Sequence, residues 1–237
     1  MRQHRFIGDF DLRPGPLTVR DAALSNQLKN VFRLRAGDGI VLGDGRGQEA
    51  EAVINGFGAA AVDLTLAEPR AVTSEPARRV TLYAAVLKRE NFEWVAEKAV
   101  EVGAAELVPV VSERTVKLGL REDRLRKIMR EAAEQCGRGI LPTLGRTMTF
   151  AEALADAARQ DLNIIFELAK PPLPPVAFAE RAARQVGVFI GPEGGWTDEE
   201  VSTAAERGFV VAGLGRLTLR AETAATVATF LAATVGE

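Results

Sequence analysis

The run Val186-Gly187-Val188-Phe189-Ile190-Gly191-Pro192-Glu193-Gly194-Gly195-Trp196 decides how this chain folds, and a second run, from Phe209 onward, repeats its logic. In each, an apolar β-branched stretch ends in a glycine-marked bend and passes into a helical pattern. The second bend reads Leu214-Gly215-Arg216-Leu217-Thr218-Leu219-Arg220-Ala221-Glu222-Thr223-Ala224-Ala225. Glycine is selected where backbone takes positive φ or where a ligand approaches the main chain. Ligands of open α/β sheets bind beyond the carboxyl ends of the strands. Two such loops are therefore expected to form two walls of one cofactor pocket.

Working outward, the rhythm from Val80 onward is strand then helix. Strands are expected at Val80 to Leu87, Leu107 to Val111, Leu162 to Leu168, Val186 to Ile190 and Phe209 to Ala212. Helices are expected at Asn91 to Val102, stopped by Gly103, at Glu122 to Cys136, and at about 150–158, 198–207 and 221–234. This alternation predicts an α/β fold with a mainly parallel sheet and helices on both faces. The earlier part reads differently, as short strands with turn punctuation. A hairpin is expected around Asp44-Gly45, between Ile40 to Gly43 and Glu49 to Ile54. Ala60 to Leu66 alternates as a further strand, and Val19 to Leu34 has helical spacing with a basic side. The organisation expected is a small β-barrel over 1–72, a proline-marked linker over 73–79, and an α/β domain over 80–237.

Composition narrows the chemistry. Of 237 residues, 47% are hydrophobic and 26% charged, the profile of a folded globular chain. No apolar run is long enough to span a bilayer. Met1-Arg2-Gln3-His4-Arg5-Phe6 contains no apolar signal core, so a cytoplasmic location is expected. A single cysteine, Cys136, and a single histidine, His4, leave no set for a disulfide, a Cys/His zinc site or a histidine-based triad. No metal is expected. The net charge of −2 does not advertise a nucleic-acid partner, but local charge does. Lys29, Arg33 and Arg35 stand in an acid-free stretch, and Ser112 to Arg138 carries eight basic residues against five acidic ones. Such patches suit phosphate, and they equally suit a solvated helix face with pairs such as Glu122 and Arg126.

Both loops admit a plain structural reading too. Thr197 with Glu200 makes a capping box for a helix, and Thr223 is placed to cap another, leaving Arg220 and Glu222 as surface charges. Neither reading uses the crowded Gly-Pro-Glu-Gly-Gly, nor explains apolar Leu217 and Leu219 in a loop whose main-chain groups need partners. No Gly-x-Gly-x-x-Gly follows the first α/β strand, so a Rossmann-type dinucleotide site is disfavoured.

The paired C-terminal motifs resemble those of the RsmE family of 16S ribosomal RNA uridine-N3 methyltransferases. Further matching stretches are Lys88, Glu97 to Gly103, Ser112-Glu113-Arg114, Glu131 to Arg138 with Pro142, His4-Arg5-Phe6, and Val31 to Asp38. The resemblance covers nearly the whole chain. Thr218, Ala221 and Cys136 depart from it, where the family commonly has an aliphatic residue, threonine and serine.

That resemblance implies a SPOUT-class α/β domain threaded into a trefoil knot, a PUA-like N-terminal barrel that holds RNA, and a homodimer formed through the knot domain. It implies S-adenosylmethionine as cofactor, held by Ile190, Gly191, Pro192, Glu193, Gly194 and Gly195 from one loop. Leu214, Gly215, Leu217, Leu219, Ala221, Thr223 and Ala224 complete the set from the other. The implied substrate is a uridine in the decoding region of 16S rRNA, modified in the assembled small subunit. Arg220 and Arg138 are the candidates for stabilising negative charge on the uracil carbonyls, and Glu193 for accepting or orienting a proton. His4, Arg5, Lys29, Arg33, Arg35, Lys88 and Arg114 are the candidate RNA contacts. A non-catalytic RNA-binding assembly factor and a methyltransferase for another RNA site are the rival readings.

Overall fold

A computed structural model describes residues 4–116, 119–168, 170–171 and 183–234. Lys117 of the basic stretch, and Pro172, Pro174 and Pro175 of the proline-marked loop, lie outside them. The chain divides into two compact units, one of residues 1–75 with 133–141, the other of 76–132 with 142–237. Residues 133–141, expected within the α/β domain, thus belong with the N-terminal unit.

In the first unit, β1 (His4–Ile7) pairs in parallel with β3 (Gly39–Gly43). β3 runs antiparallel to β4 (Gln48–Phe57) through the hairpin at Asp44-Gly45, and β4 to β5 (Val62–Leu66) with a register shift between Ile54 and Gly56. β2 (Gly15–Val19) closes the order on β5, and β6 (Arg70–Ala71) pairs with β4. Period-two alternation in β5 puts Val62, Leu64 and Leu66 inside with Ile40, Leu42, Ala52 and Ile54. A helix, α1 (Ala22–Asn26), adds Leu24 to that core and continues as a π turn over Gln27–Val31 that contributes Leu28. It is shorter than the expected Val19 to Leu34 at both ends. Val19 is committed to β2, Asp21 caps the helix by accepting from Ala23 N and Leu24 N, and Arg33 leaves it at φ 57.

The late segment is sewn to this unit by polar contacts. Ile7 N donates to Glu134 Oε1 at 2.8 Å, Gly47 N to the Gly139 carbonyl at 3.0 Å, and Leu141 N to the Gly45 carbonyl at 2.9 Å. Glu75 accepts from Arg138 Nη2 at 2.7 Å and from the amides of Gly139 and Ile140 at 2.9 and 3.0 Å. Burial alone would raise the Glu75 pKa. The Arg138 hydrogen bond, the two amides and the guanidinium charge outweigh it, so the carboxyl sits below its ordinary value of 4.5.

In the second unit, β7 (Arg79–Ala85), β8 (Ala104–Val111), β11 (Leu162–Phe166), β12 (Gln185–Ile190) and β13 (Val210–Ala212) carry the α/β sheet. Two short strands, β9 (Thr143–Leu144) and β10 (Met148–Thr149), pair with β8. The order β10-β8-β7-β12-β11-β13 is parallel throughout. Such strands are buried on both faces, which is why they read as continuous apolar runs. On one face Tyr83 stacks on Phe189 with ring centroids 4.3 Å apart, and Phe209 meets Phe189 edge-on. Pairs of this kind add about 0.5–1.5 kcal/mol beyond their area.

Helix α2 (Arg89–Glu101) buries Phe92, Val95, Ala96, Ala99 and Val100, a 3.6-period stripe, and ends before Gly103 at φ 101. Helix α3 spans Glu122–Cys136, the expected bounds, and α4 (Phe150–Asp156) starts from a capping box of Thr149 and Glu152. Helix α5 (Asp198–Glu206) and helix α6 (Ala221–Thr234) follow the two loops singled out above.

The Glu75–Arg138 pair yields a test. Glu75→Gln is expected to destabilise the N-terminal unit by about 2–4 kcal/mol at pH 7, less than a fully buried pair because Glu75 is partly open. A depressed carboxyl stabilises above its unfolded value and loses that contribution as pH falls through the folded value. The gap between wild type and variant should therefore close below pH 4.5. Chemical denaturation at pH 7 and at pH 3.5 to 4 would reveal a constant gap if this ion pair contributes nothing.

Candidate functional site

The carboxyl ends of β7, β11, β12 and β13 surround one cavity of about 840 Å³. Its walls are residues 190–193 with Gly195 and Trp196 from one loop, and 214–222 with Ala224 from the other. Phe166 to Leu168, Lys170 and Pro171 form the floor between them, and Lys88 and Asn91 close the α2 side. The two bends thus converge because β11 lies between β12 and β13. Phe166 pairs with Ile190 on one side and with Ala212 on the other.

The first loop is built for backbone presentation. Gly195 N donates back to the Pro192 carbonyl at 2.9 Å, closing a turn that needs φ 72 at Gly195. The expected capping box forms: Thr197 Oγ1 accepts from Glu200 N and Glu200 Oε2 from Thr197 N. Glu200 is buried because its other oxygen accepts from Glu113 N at 3.0 Å, beyond the end of β8. Arg114 completes the brace, donating from Nη1 to the carbonyls of Gly194 at 2.8 Å and Trp196 at 3.0 Å. Trp196 is buried against Phe150, ring centroids 5.0 Å apart, and covers the core as well as walling the cavity.

The second loop is tied at its root. Gly213 N donates to the Pro171 carbonyl at 2.8 Å, and a Cβ on Gly213 would lie 2.1 Å from the Lys170 carbonyl oxygen. Only glycine permits that crossing. Helix α6 begins at Ala221 with Ala224 N donating to the Arg220 carbonyl, so Thr223 lies inside the first turn and is not its cap. Arg220 projects into solvent with a side chain 87% exposed and Glu222 beside it at 4.0 Å. Leu217 is exposed at the mouth.

The expected cofactor residues all belong to these two loops, and all but Gly194 and Thr223 line the cavity. Arg220 and Glu193 line it as well, both exposed. Arg138 does not. It belongs to the other unit, buried, with Nε and Nη2 donating to Glu75, so its guanidinium is engaged in an ion pair there. Arg114, expected at RNA, is spent on the loop carbonyls. Arg5 is likewise spent, with Nη2 2.7 Å from buried Glu49. His4 is exposed and packs on Phe32 at 4.2 Å, and Lys29, Arg33 and Arg35 are exposed in the N-terminal unit. Lys88 is exposed at the start of α2 and lines the cavity.

Sequence reasoning missed the floor. Glu167 follows β11 directly, and burial pushes its carboxyl above the usual 4.5, against the Leu168 amide and the charges of Lys170 and Arg114. Its one sequence signal was an acidic residue closing a buried apolar strand.

Comparison with known proteins agrees with this geometry. Residues 73–233 match the RNA methyltransferase domain family, and residues 27–64 match the RNA methyltransferase PUA domain. The chain is thus an RNA methyltransferase with a PUA-like N-terminal domain. Ribosomal RNA small subunit methyltransferase E of Synechocystis is 34% identical over 90% of this chain and 71% of its own length. The chain belongs to the ribosomal RNA small subunit methyltransferase E family. A Neisseria gonorrhoeae member solved with S-adenosyl methionine superposes with a TM-score of 0.86 at 26% identity, over 96% of this chain and 95% of that one. A Legionella pneumophila methyltransferase solved with bound SAM gives 0.85 at 28% identity, over 97% and 96%.

Arg114→Ala should speed amide hydrogen exchange over residues 193–197 by about fivefold, the loss of roughly 1 kcal/mol from two partly exposed hydrogen bonds. Exchange within α2 should stay unchanged. Equal exchange in the 193–197 segment of both proteins would show that the brace does not order the loop.

Proposed function

We propose that this chain transfers a methyl group from S-adenosylmethionine to N3 of a uridine in the decoding region of 16S rRNA, acting on the assembled small subunit in the cytoplasm. The observation that carries the reading is the two-walled cavity at the strand ends of an RNA methyltransferase domain. The residues present fit the cofactor. A cavity of about 840 Å³ is of small-molecule size. Phe166, Ile190 and Leu219 offer apolar surface to a flat purine, and Glu193 and Glu222 offer carboxylates to a cationic molecule. When bound, S-adenosylmethionine supplies an already activated methyl group.

The chain's own residues do the rest. Main chain of residues 190–195 and 214–219 holds the cofactor and orients it. Uracil N3 has a usable lone pair only after its imino proton leaves, so the site must favour the ring anion. Arg220, a planar guanidinium donor at the mouth, stabilises the negative charge spread onto the uracil carbonyls. Glu222 steers that guanidinium from 4.0 Å. Glu193 receives the imino proton. His4, Lys29, Arg33 and Arg35 present exposed donors and cations to the RNA backbone from the N-terminal unit.

Two architectural elements belong to the same reading. The segment after β13 is threaded as a trefoil knot, a reading supported by the Gly213 crossing at Lys170 and Pro171. Two copies associate through α6, which carries a single charged residue, Glu222, and whose Phe230 is half exposed.

Undermethylated small subunits incubated with the protein and S-adenosylmethionine should yield N3-methyluridine by nucleoside mass analysis. A methyl group at another position, or none, would refute the assignment. Arg220→Ala should lower turnover by about a hundredfold or more while cofactor affinity stays within about tenfold. Unchanged turnover in that variant removes Arg220 from the mechanism.

A further inference from the structure

Glu167 occupies the one position on the sheet edge that both cavity loops flank. It is the first residue after β11, whose last residue, Phe166, is paired with Ile190 and with Ala212. Its own amide donates to the Ala212 carbonyl at 2.9 Å, so its backbone is locked to the neighbouring strand. The residue is part of the cavity wall. A group held on strand backbone is placed more accurately than one on a loop. The mechanism above gives this carboxylate no particular task, and burial makes it costly to keep charged without donors.

We propose that Glu167 holds the ribose diol of the cofactor and makes the site selective for a ribonucleoside; this rests on the S-adenosylmethionine reading above. Two adjacent hydroxyls present two O–H donors to the two oxygens of one carboxylate and add no charge. In dinucleotide-binding α/β sheets a carboxylate accepts from a ribose hydroxyl in the same way. The alternative donor on the same cofactor is its amino-acid ammonium. The charges of Lys170 and Arg114 already act on Glu167, so a third cation gains least there. Uncharged hydroxyl donors satisfy the carboxylate at lower cost.

Titration calorimetry with S-adenosylhomocysteine separates the possibilities without any turnover. The set comprises the parent compound, its 2′-deoxy and 3′-deoxy forms, and a form lacking the amino group, each against wild type, Glu167→Ala and Glu167→Gln. Hydrogen bonds to a charged group are worth about tenfold or more in affinity. Wild type should therefore bind each deoxy form roughly tenfold more weakly than the parent. Glu167→Ala should bind parent and deoxy forms within about twofold of one another, with discrimination against the desamino form unchanged. Should the alanine variant not fold, Glu167→Gln, nearly isosteric, should cut the deoxy penalty to about threefold or less. Persistence of the wild-type deoxy penalty in a folded variant overturns the proposal. So does loss of discrimination against the desamino form alone. Failure of wild type to bind S-adenosylhomocysteine at all would instead sink the cofactor reading beneath it, a distinct result.

Discussion

Parallel pairing of Leu162–Phe166 between Gln185–Ile190 and Val210–Ala212 is the constraint on which the rest of this structure depends. Each strand contributes a continuous apolar run that must be covered on both faces, so the three cannot be separated without exposing Ile164, Ile165, Val188 and Phe189. Once they are aligned in register, their carboxyl ends share one edge. The chain leaving each end is then forced into the same small volume. The cavity is a consequence of strand order, and the glycines make its walls thin enough to be useful.

The walls themselves are held by groups from outside them. Glu200 bridges its own helix cap to Glu113 N, and Arg114 reaches the carbonyls of Gly194 and Trp196. A glycine-rich loop has a large conformational entropy to lose, and each of these bonds restricts it before any ligand arrives. Pre-ordering of this kind reduces the ordering cost that binding would otherwise carry.

Much of the local structure was legible in the sequence. Glu122–Cys136 falls on its expected bounds, the Thr197–Glu200 capping box forms, and Asp44-Gly45 turns a hairpin. Period and cap chemistry act over a few residues, and so they can be read from a few residues. What could not be read was partnership at long range. Arg138 and Arg114 looked alike as cations in a basic stretch, yet one pairs with Glu75 and the other braces a loop eighty positions away in sequence. Glu167 was silent because its significance lies in which strands flank it. The helix expected over Val19 to Leu34 was trimmed by competition: β2 claimed Val19 and positive φ claimed Arg33. The motif pair, by contrast, pointed to the right edge of the sheet because glycine marks where backbone must be approached.

The N-terminal sheet borrows residues 133–141 from far downstream, among them the Arg138 that neutralises Glu75 and the Gly139 and Leu141 that join the hairpin by backbone hydrogen bonds. A ribosome adds about 5–20 residues per second, so on the order of several seconds separate emergence of the last strand of that sheet from emergence of the piece that completes it. Through this interval Glu75 is an unneutralised carboxylate and the Asp44-Gly45 turn has open amide positions. The N-terminal unit is therefore not finished when its own strands have been made, and its maturation is timed by the two strands and two helices, Arg79 to Cys136, translated in between.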